Sequence, residues 1–229
     1  MSIHVIQYTY IVVDISICNA SFRWKCAKVM HEMLYSTIHR SEFLALTILI
    51  PLASFSLLTD IARLYNSTFA KFYYTFFQSL LREHETTGKK KNLTGATYVL
   101  ISAVICIALF PKIIFVTSFS VLIISDTASA LFGRKFGKHK FKKIAGGKKS
   151  WEGSIAFVLS AIPVILVTPK IEYRIGEYVL AIVSSVGGAI AELLSFDIFD
   201  DNFAIPLATG ALMYVFYIAF FPELNLNSI

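Results

Sequence analysis

Two carboxylates interrupt long apolar stretches of the sequence, and they are the strongest candidates for catalytic or metal-binding residues. Asp126 lies within the apolar stretch 113–132 and Glu192 within 178–196. An ionisable side chain in a membrane-spanning helix costs about 2.5–3.5 kcal/mol to insert, so it is expected to have a partner or a function. Beside a cationic loop, such carboxylates can hold Mg²⁺ together with a polyphosphate, because Mg²⁺ takes carboxylate and phosphate oxygens as ligands. The structural alternative is that each carboxylate pairs with a nearby lysine and joins two helices.

The segment after Asp126 has the composition of an anion-binding loop. Glycines let backbone N–H groups approach phosphate oxygens, and Arg and Lys neutralise their charge. Ser150 or Ser154 can also cap the next helix, which directs the positive N-terminal end of that helix toward the anion. The residues with these properties are Gly133, Arg134, Lys135, Lys148, Ser150, Gly153 and Ser154. A basic loop that binds anionic lipid headgroups would have a similar composition.

A polar triplet, Asp200, Asp201 and Asn202, stands at the start of the last apolar stretch. One such residue is enough to cap a helix, so three in a row favour contact with a metal ion or a hydroxyl group as well. Further charged residues flank the earlier apolar stretches, and each taken singly is typical of a surface charge. They are Asp60, Arg63, Arg82, Glu83 and Glu85.

The composition indicates the elements that must position these residues. Of the 229 residues, 56% are hydrophobic and 16% are charged, against about 45–50% and about 25% in soluble domains. These values exclude an ordinary soluble enzyme and a disordered chain. Because open sheet is not viable in lipid, we predict an all-α, polytopic membrane helix bundle with about six transmembrane helices. The predicted spans are 43–59, 93–110, 113–132, 154–169, 178–196 and 203–222.

The distribution of basic residues predicts how these helices are oriented. Loops 60–92 and 133–153 are rich in Lys and Arg, and the two helices between them form a hairpin at Pro111. Both loops therefore lie on one side of the membrane, which the positive-inside rule assigns to the cytoplasm. The next hairpin returns the acidic segment 196–202 to that side. Residues 1–42 do not fit this alternation, and their topology stays open.

Three further features bear on the class of protein. Residues 66–81 place aromatic side chains among few charges, as an interfacial helix does. The net charge of +6 belongs to basic loops separated by apolar stretches, so it indicates membrane loops and not a nucleic-acid partner. Cys18, Cys26 and Cys106 have neither the spacing of a disulfide framework nor that of a zinc site.

Taken in order, these pieces resemble the CTP-dependent lipid kinases, the dolichol, phytol and diacylglycerol kinase group, which is related to the phosphatidate cytidylyltransferases. The most specific stretches are SDTASALFGRKFG at 125–137 and KKSWEGS at 148–154. Shorter matching stretches surround them at 60–63, 81–85, 93–98, 110–111 and 200–206, with Glu192 between. The resemblance covers roughly residues 43–221 and implies a transmembrane catalytic domain over 43–222.

The resemblance implies a multi-pass enzyme, active on the cytoplasmic face, that uses CTP and a divalent cation such as Mg²⁺ to phosphorylate the hydroxyl of diacylglycerol, phytol or a polyprenol. The positions that correspond to the nucleotide-site motifs are Asp126, Gly133, Arg134, Lys148, Ser150, Glu152 and Gly153. As a hypothesis, Asp126 with Asp200 or Asp201 holds the metal, while Arg134, Lys148 and Lys135 bind the triphosphate. Glu152 or Glu192 would orient the lipid hydroxyl as a base.

Two alternatives stay open. A phosphatidate cytidylyltransferase would share the block 133–154, but its Gly-His-Gly-Gly and Asp-Arg-x-Asp-Ser signatures are absent from the sequence. A non-enzymatic membrane protein with an anionic-lipid-binding loop is the other. Lys28 and His31 match an Arg-Lys-x-x-His motif of the kinases only in part, since Ala27 replaces the Arg, and this N-terminal part is short. The oligomeric state is not predicted.

Overall fold

The computed structural model describes residues 42–77, 93–141, 149–195, 200–224 and 226. The described chain is built from α-helices, and within it no strand forms beyond an isolated antiparallel bridge between Lys140 and Ser150. The helices are α1 (Glu42–Tyr65), α2 (Ser67–Phe77), α3 (Gly95–Leu109), α4 (Lys112–Val121), α5 (Thr127–Phe136), α6 (Trp151–Val167), α7 (Ile175–Leu194) and α8 (Asp201–Phe220). A single π-helical turn, Leu122–Asp126, joins α4 to α5, so these three run as one continuous helix.

The predicted all-α class is confirmed, and each of the six predicted spans contains an apolar helix. Four helical segments are long and apolar enough to cross a membrane: Leu44–Tyr65, Lys112–Phe136, Ile175–Leu194 and Asp201–Phe220. Helices α3 and α6 are apolar but shorter, with 15 and 17 residues. The chain is therefore a membrane protein with at least four candidate spans.

Local sequence explains where several helices begin. Ser150 accepts a hydrogen bond from the Gly153 amide at 3.2 Å and caps α6, which confirms one of the two predicted caps. Thr94 caps α3 in the same way. Helix α4 begins directly after Pro111, the predicted hairpin turn, because proline presets the backbone and donates no hydrogen bond.

The core lies where α4, α6, α7 and α8 meet. Phe119, Phe157, Ile165, Ile205 and Met213 are fully buried there. Helices α7 and α8 approach closely because Gly187 and Gly188 face Leu212 and Thr209, where a Cβ atom would collide. Helix α1 packs mainly against α3 and α2, and its Ala45 and Leu49 belong to the same buried cluster. Its outward face, including Phe55 and Leu58, is exposed as a lipid-facing surface would be.

Candidate functional site

A lysine joins two acidic helix ends at one end of the bundle. The Lys149 ammonium lies 2.9 Å from Oε1 of Glu192 at the end of α7, and 3.5 Å from Oδ2 of Asp201 at the start of α8. Oε1 of Glu192 also accepts a hydrogen bond from the Ser129 hydroxyl of α5 at 3.0 Å. The structure thus brings together three segments that are distant in sequence. We call Lys149, Glu192, Asp201 and Ser129 the charged cluster.

Two buried polar atoms in this part of the protein have no hydrogen-bond partner among the described residues. They are Oε2 of Glu192 and the Ser125 hydroxyl, which lies one helical turn before Ser129. Glu192 is only 4% exposed and Ser125 is fully buried. An unsatisfied buried polar atom costs about 1–3 kcal/mol. Such atoms are therefore expected where a ligand, an ion or water completes the site.

Asp126 ends the π-helical turn that leads into α5. The side chain is half-buried, in contrast to the fully buried Ser125 beside it. A π turn inserts one extra residue into a helix and changes the direction of the side chains that follow, and it occurs often at functional sites. Sequence patterning did not predict this turn, because it does not change the apolar character of the helix.

The two most specific sequence motifs meet at a glycine contact. A Cβ atom on Gly153 would lie 3.1 Å from the Ser129 carbonyl oxygen and 3.4 Å from the Gly133 Cα. A Cβ atom on Gly133 would lie 3.3 Å from the Ser150 hydroxyl oxygen. Only glycine permits this spacing between α5 and α6 without a shift of backbone. The contact therefore fixes the N-terminal end of α6 beside Ser129 of the charged cluster.

The ends of the loop between α5 and α6 are tied together by hydrogen bonds. The Phe141 amide donates a hydrogen bond of 2.9 Å to the Lys149 carbonyl, and the Phe141 and Trp151 rings pack with centroids 4.8 Å apart and planes tilted by 36°. Both Glu152 oxygens accept from the His139 amide, at 3.1 and 3.3 Å, and Oε1 also lies 2.8 Å from the His139 ring. Glu152 thus holds His139, just after α5, close to the start of α6. Arg134 and Lys135 are exposed nearby, with Arg134 Nε donating to the Ala130 carbonyl.

The polar triplet caps α8. Asp200 Oδ1 accepts from the Asn202 amide at 3.0 Å and from the Asn202 side chain at 2.6 Å. The Asn202 carbonyl accepts a hydrogen bond of 3.1 Å from Ser102 of α3. Asp200 and Asn202 therefore bond to each other, and Asn202 holds the start of α8 against α3. The Asp201 side chain reaches Lys149.

A second buried group of polar side chains lies where α1 meets α3. Oδ2 of Asp60 accepts from the Thr94 amide at 2.7 Å, the Thr94 hydroxyl at 2.9 Å and the Thr97 hydroxyl at 2.7 Å. Its Oδ1 pairs with Arg63 at 3.2 Å, and both side chains are nearly fully buried. The Arg63 guanidinium also lies over the rings of Tyr73 and Tyr74 of α2. Asp60 and Arg63, expected to be surface charges when taken singly, therefore join three helices.

Several predicted residues lie outside the described residues. They are Lys148, Arg82, Glu83, Glu85, Lys28 and His31, together with the N-terminal segment 1–42 except for its last residue. The described part of the predicted interfacial segment 66–81 is helical, as α2.

A divalent cation at this end of the bundle would need oxygen ligands from side chains, from phosphates or from water. Within the described residues, no group of three or more His, Cys, Asp or Glu side chains is arranged to hold a metal ion. Mg²⁺ bound together with substrate phosphates needs only one or two carboxylates, because phosphate and water oxygens supply the rest. Asp201 at the charged cluster is one such carboxylate, and the unpartnered buried Oε2 of Glu192, which shares Lys149 with it, indicates that a further group completes the site, so the donor set fits a cation shared with phosphates.

Sequence reasoning missed Lys149 and Ser129 as site residues, although both lie in motifs that it singled out. It also missed a buried ionic cluster at the opposite end of the bundle. There, Glu177 accepts from the amides of Ile171, Glu172 and Arg174 at 2.9–3.1 Å and from the Tyr217 hydroxyl at 2.9 Å. The predicted span 178–196 begins one residue after Glu177, so this carboxylate was not recognised as a charge within a helix.

Lys170 completes this second cluster. Its ammonium donates to the carbonyls of Ile165 and Thr168, each at 2.9 Å, and to the Thr168 hydroxyl at 3.0 Å. It also lies 5.2 Å from the centre of the Tyr178 ring. Burial lowers the pKa of Lys170 to about 8, while the nearby Glu177 carboxylate opposes that shift. We call Lys170, Glu177 and Tyr217 the far-end cluster.

The apolar helices and the charged cluster at one end of them define a membrane protein with a polar cluster at one end of its helix bundle. Comparison with known proteins identifies its relatives. Over 166 residues the chain is 30% identical to CTP-dependent diacylglycerol kinase 1 of Schizosaccharomyces pombe, a match that covers 68% of this chain and 73% of the relative. An uncharacterized protein of Rickettsia prowazekii is 31% identical over 182 residues, 79% of this chain and 85% of the relative.

A third relative is a phytol kinase of Synechocystis, 31% identical over 90 residues, which are 39% of this chain and 38% of that kinase. The chain belongs to the CTP-dependent lipid kinase family. No family model matches the chain, and no solved structure matches it. The resemblance to the kinases is thus confirmed at the level of the family, whereas a relationship to the cytidylyltransferases is not shown.

Proposed function

We propose that the protein transfers the γ-phosphoryl group of CTP to the hydroxyl group of a lipid or isoprenoid alcohol, at the end of the bundle that carries the charged cluster. The observation that carries this proposal is the placement of Lys149 and the unpartnered Oε2 of Glu192 beside the motif residues of α5 and α6. The two relatives named as kinases of diacylglycerol and phytol support phosphoryl transfer to a lipid alcohol.

Phosphoryl transfer requires mainly positioning and neutralisation of charge, because negative charge is spread over the phosphoryl oxygens in the transition state. Lys149 can exchange its contact with Asp201, which at 3.5 Å is long, for a phosphate oxygen. Arg134 and Lys135 are exposed on the last turn of α5, where they can reach the same anion. Lys148, next to Lys149 in sequence, would add a further positive charge.

The carboxylates would divide two tasks. Asp126 with Asp200 or Asp201 would hold Mg²⁺, which supplies neutralisation of the β- and γ-phosphate oxygens when bound. Glu192 would accept the proton of the lipid hydroxyl while the hydroxyl oxygen attacks the γ-phosphorus of CTP and CDP leaves. Glu152 is given a positioning role, because its two oxygens already hold the His139 main chain.

The proposal includes an orientation. If α3 and α6 also cross the bilayer, six crossings place the loops before α3, between α5 and α6, and before α8 on one side. The positive-inside rule then assigns the site to the cytoplasmic face.

The proposal is tested by incubating the reconstituted protein with CTP labelled at the γ or the α phosphate, Mg²⁺, and diacylglycerol, phytol, a polyprenol or phosphatidic acid. Transfer of the γ label to one of the alcohols supports the kinase. Retention of the α label on lipid from phosphatidic acid, with release of pyrophosphate, would indicate a cytidylyltransferase instead.

Asp126→Asn is the matching variant, and its expected loss of γ transfer is about 100-fold because the metal loses a charged ligand. Glu172→Gln is the control, since Glu172 is an exposed carboxylate in an ion pair with Arg174 at the opposite end of the bundle. Failure of every lipid to take up either label would contradict an enzymatic function and leave the lipid-binding alternative.

A further inference from the structure

One oxygen of Glu192 carries both hydrogen bonds that its carboxylate makes with the described residues. Oε1 accepts from the Lys149 ammonium at 2.9 Å and from the Ser129 hydroxyl at 3.0 Å. Oε2 is buried and accepts from none of the residues that the structure describes. An ionised carboxylate has about four lone-pair sites, two on each oxygen. The sites on Oε1 are therefore occupied, and those on Oε2 are available to a substrate.

The two donors on Oε1 differ in how firmly they hold the carboxylate. The last torsion of a glutamate side chain is broad and roughly two-fold, so a single donor would leave the carboxylate able to turn. Lys149 has a long side chain, which also contacts Asp201 at 3.5 Å. Ser129 has a short side chain on a helix, near the start of α5. The Ser129 hydroxyl is therefore the donor that restricts the orientation of the Glu192 carboxylate.

The hydrogen bond of Ser129 differs from those of other serines in these helices. A serine within a helix commonly donates to the carbonyl three or four residues earlier in the same helix. Four described serines do so at 2.7–3.1 Å, namely Ser118, Ser160, Ser184 and Ser185. The Ser129 hydroxyl instead donates to a side chain 63 residues away in the sequence, on α7. Its bond thus joins two helices at the site end of the bundle.

The π-helical turn before α5 determines that a serine stands at this place. The turn Leu122–Asp126 accommodates one extra residue, which rotates the helix after it by about 100° relative to an uninterrupted helix. In this register Ser129 meets Glu192. Its neighbours Ala128 and Ala130 have no hydroxyl. A shift of one residue in either direction would therefore leave Oε1 with Lys149 alone.

Gly153 leaves the space that the Ser129 hydroxyl occupies. A Cβ atom on Gly153 would lie 3.3 Å from the Ser129 hydroxyl oxygen, which is closer than an ordinary contact. Because position 153 is a glycine, the start of α6 can approach α5 without displacing this hydroxyl from Glu192. The same approach brings Lys149, just before α6, to the same carboxylate oxygen.

We propose that Ser129 is a positioning residue for Glu192, and that with Lys149 it holds Oε1 so that Oε2 receives the proton of the lipid hydroxyl. This inference rests on the proposed function, in which Glu192 is the base. The O–H bond of the lipid alcohol breaks as its proton passes to Oε2, and its oxygen forms a bond to the γ-phosphorus. The bond from that phosphorus to CDP breaks, and its electron pair leaves with CDP. Ser129 acts through Glu192 and bonds neither substrate.

The test is a double-mutant cycle on the full chain in phosphatidylcholine vesicles, with γ-labelled CTP, Mg²⁺ and diacylglycerol, phytol or a polyprenol. Ser129→Ala is expected to lower kcat about tenfold, because the base is less well oriented, and to leave KM for CTP and for the lipid within about twofold. In the Glu192→Gln background the same change should lower kcat by no more than about twofold, since no base is left to orient.

Ser118→Ala is the matched control. Ser118 is a fully buried serine on α4, in the same continuous helix as Ser129, and its hydroxyl donates to the Phe115 carbonyl of its own helix. We expect this variant to keep the wild-type kcat and KM. A thermal unfolding curve checks that each variant is folded. Ser129→Cys replaces Ser129→Ala if the alanine variant does not fold, because a thiol is only a weak donor.

A wild-type kcat in Ser129→Ala would overturn the inference, and so would a fall of the same size in the Glu192→Gln background. A higher KM at unchanged kcat would also overturn it, because Ser129 would then act in substrate binding. In each of these outcomes the kinase stands, since the wild-type protein transfers the label. If the wild-type protein labels none of the three alcohols, the proposed function is rejected, and with it the base that Ser129 would orient.

Discussion

The two ends of helix α7 each bury a glutamate, but the protein treats the two carboxylates differently. Glu177 at the far end receives three backbone amides and the Tyr217 hydroxyl. Glu192, fifteen residues and about 22 Å further along the helix, receives Lys149 and Ser129 on one oxygen, and its other oxygen has no partner among the described residues. Both oxygens of Glu177 accept hydrogen bonds within the fold, whereas Oε2 of Glu192 accepts none from the described residues.

Under the proposed function, the difference separates a structural carboxylate, Glu177, from one that takes part in the reaction, Glu192. A saturated buried network holds a loop in one conformation, and here it fixes the connection between α6 and α7. A buried carboxylate with a free oxygen reduces stability, and natural proteins accept such a cost where a ligand completes the site. Because both residues are glutamates on one helix, they offer a matched pair of substitutions.

Glu192→Gln is expected to have the largest effect, on activity. The substitution keeps the shape of the side chain and removes its charge, so turnover should fall about 100-fold or more while the melting temperature changes little. The measurement is γ-label transfer together with a thermal unfolding curve. A variant that unfolds earlier yet turns over normally would show that Glu192 is structural like Glu177.

Glu177→Gln is the reciprocal change and is expected to act on stability. The amide can accept at only one atom and brings an NH₂ group toward backbone donors, so we expect about 2–3 kcal/mol of stability to be lost. The melting temperature should fall by roughly 5 °C or more. The kcat of the folded fraction should match the wild type. A normal melting temperature with reduced kcat would reverse the assignment of the two ends.

Two glycines extend the comparison to packing. Gly153→Ala would place a Cβ atom against the Ser129 carbonyl and the Gly133 backbone, so it should displace α6 from the charged cluster and reduce turnover about tenfold. Gly176→Ala at the far end meets the Phe221 ring, a side chain that can move, and its activity should stay close to wild type. Equal losses in both variants would argue against a special spacing at the site end.

The smallest expected effect concerns Lys170, and the pH dependence of the free energy of unfolding tests it. Its folded-state pKa of about 8 lies below the ordinary value of 10.5, so between these values the unfolded chain binds more protons than the folded one. The free energy of unfolding should therefore rise with pH in this window, by about 1 kcal/mol between pH 7.5 and 9, and stay flat below it.

Lys170→Met should lack this rise, since the groups around it, Glu177, Tyr178 and Tyr217, are unchanged and their own contributions cancel in the comparison. The measurement is the unfolding free energy of both proteins across this pH range. Parallel curves would show that Lys170 does not titrate in the window.

Much of the candidate site could be predicted because its residues differ in polarity or charge from the residues around them in the sequence. Asp126 and Glu192 stand out in apolar stretches, and the glycines and lysines of 133–154 stand out as a group. The residues that were missed give no such contrast. Lys149 is one basic residue among several, Ser129 is one of many small residues in a helix, and Glu177 lies just outside a predicted span.

The sequence by itself determined the helical membrane class and the segments that meet at one end, because hydropathy and charge are summed along the chain and need no knowledge of packing. Only the tertiary structure decided which lysine meets Glu192 and which carboxylates are satisfied. These depend on distances of a few ångströms between side chains far apart in sequence. Contacts such as that between Gly133 and Gly153 set those distances.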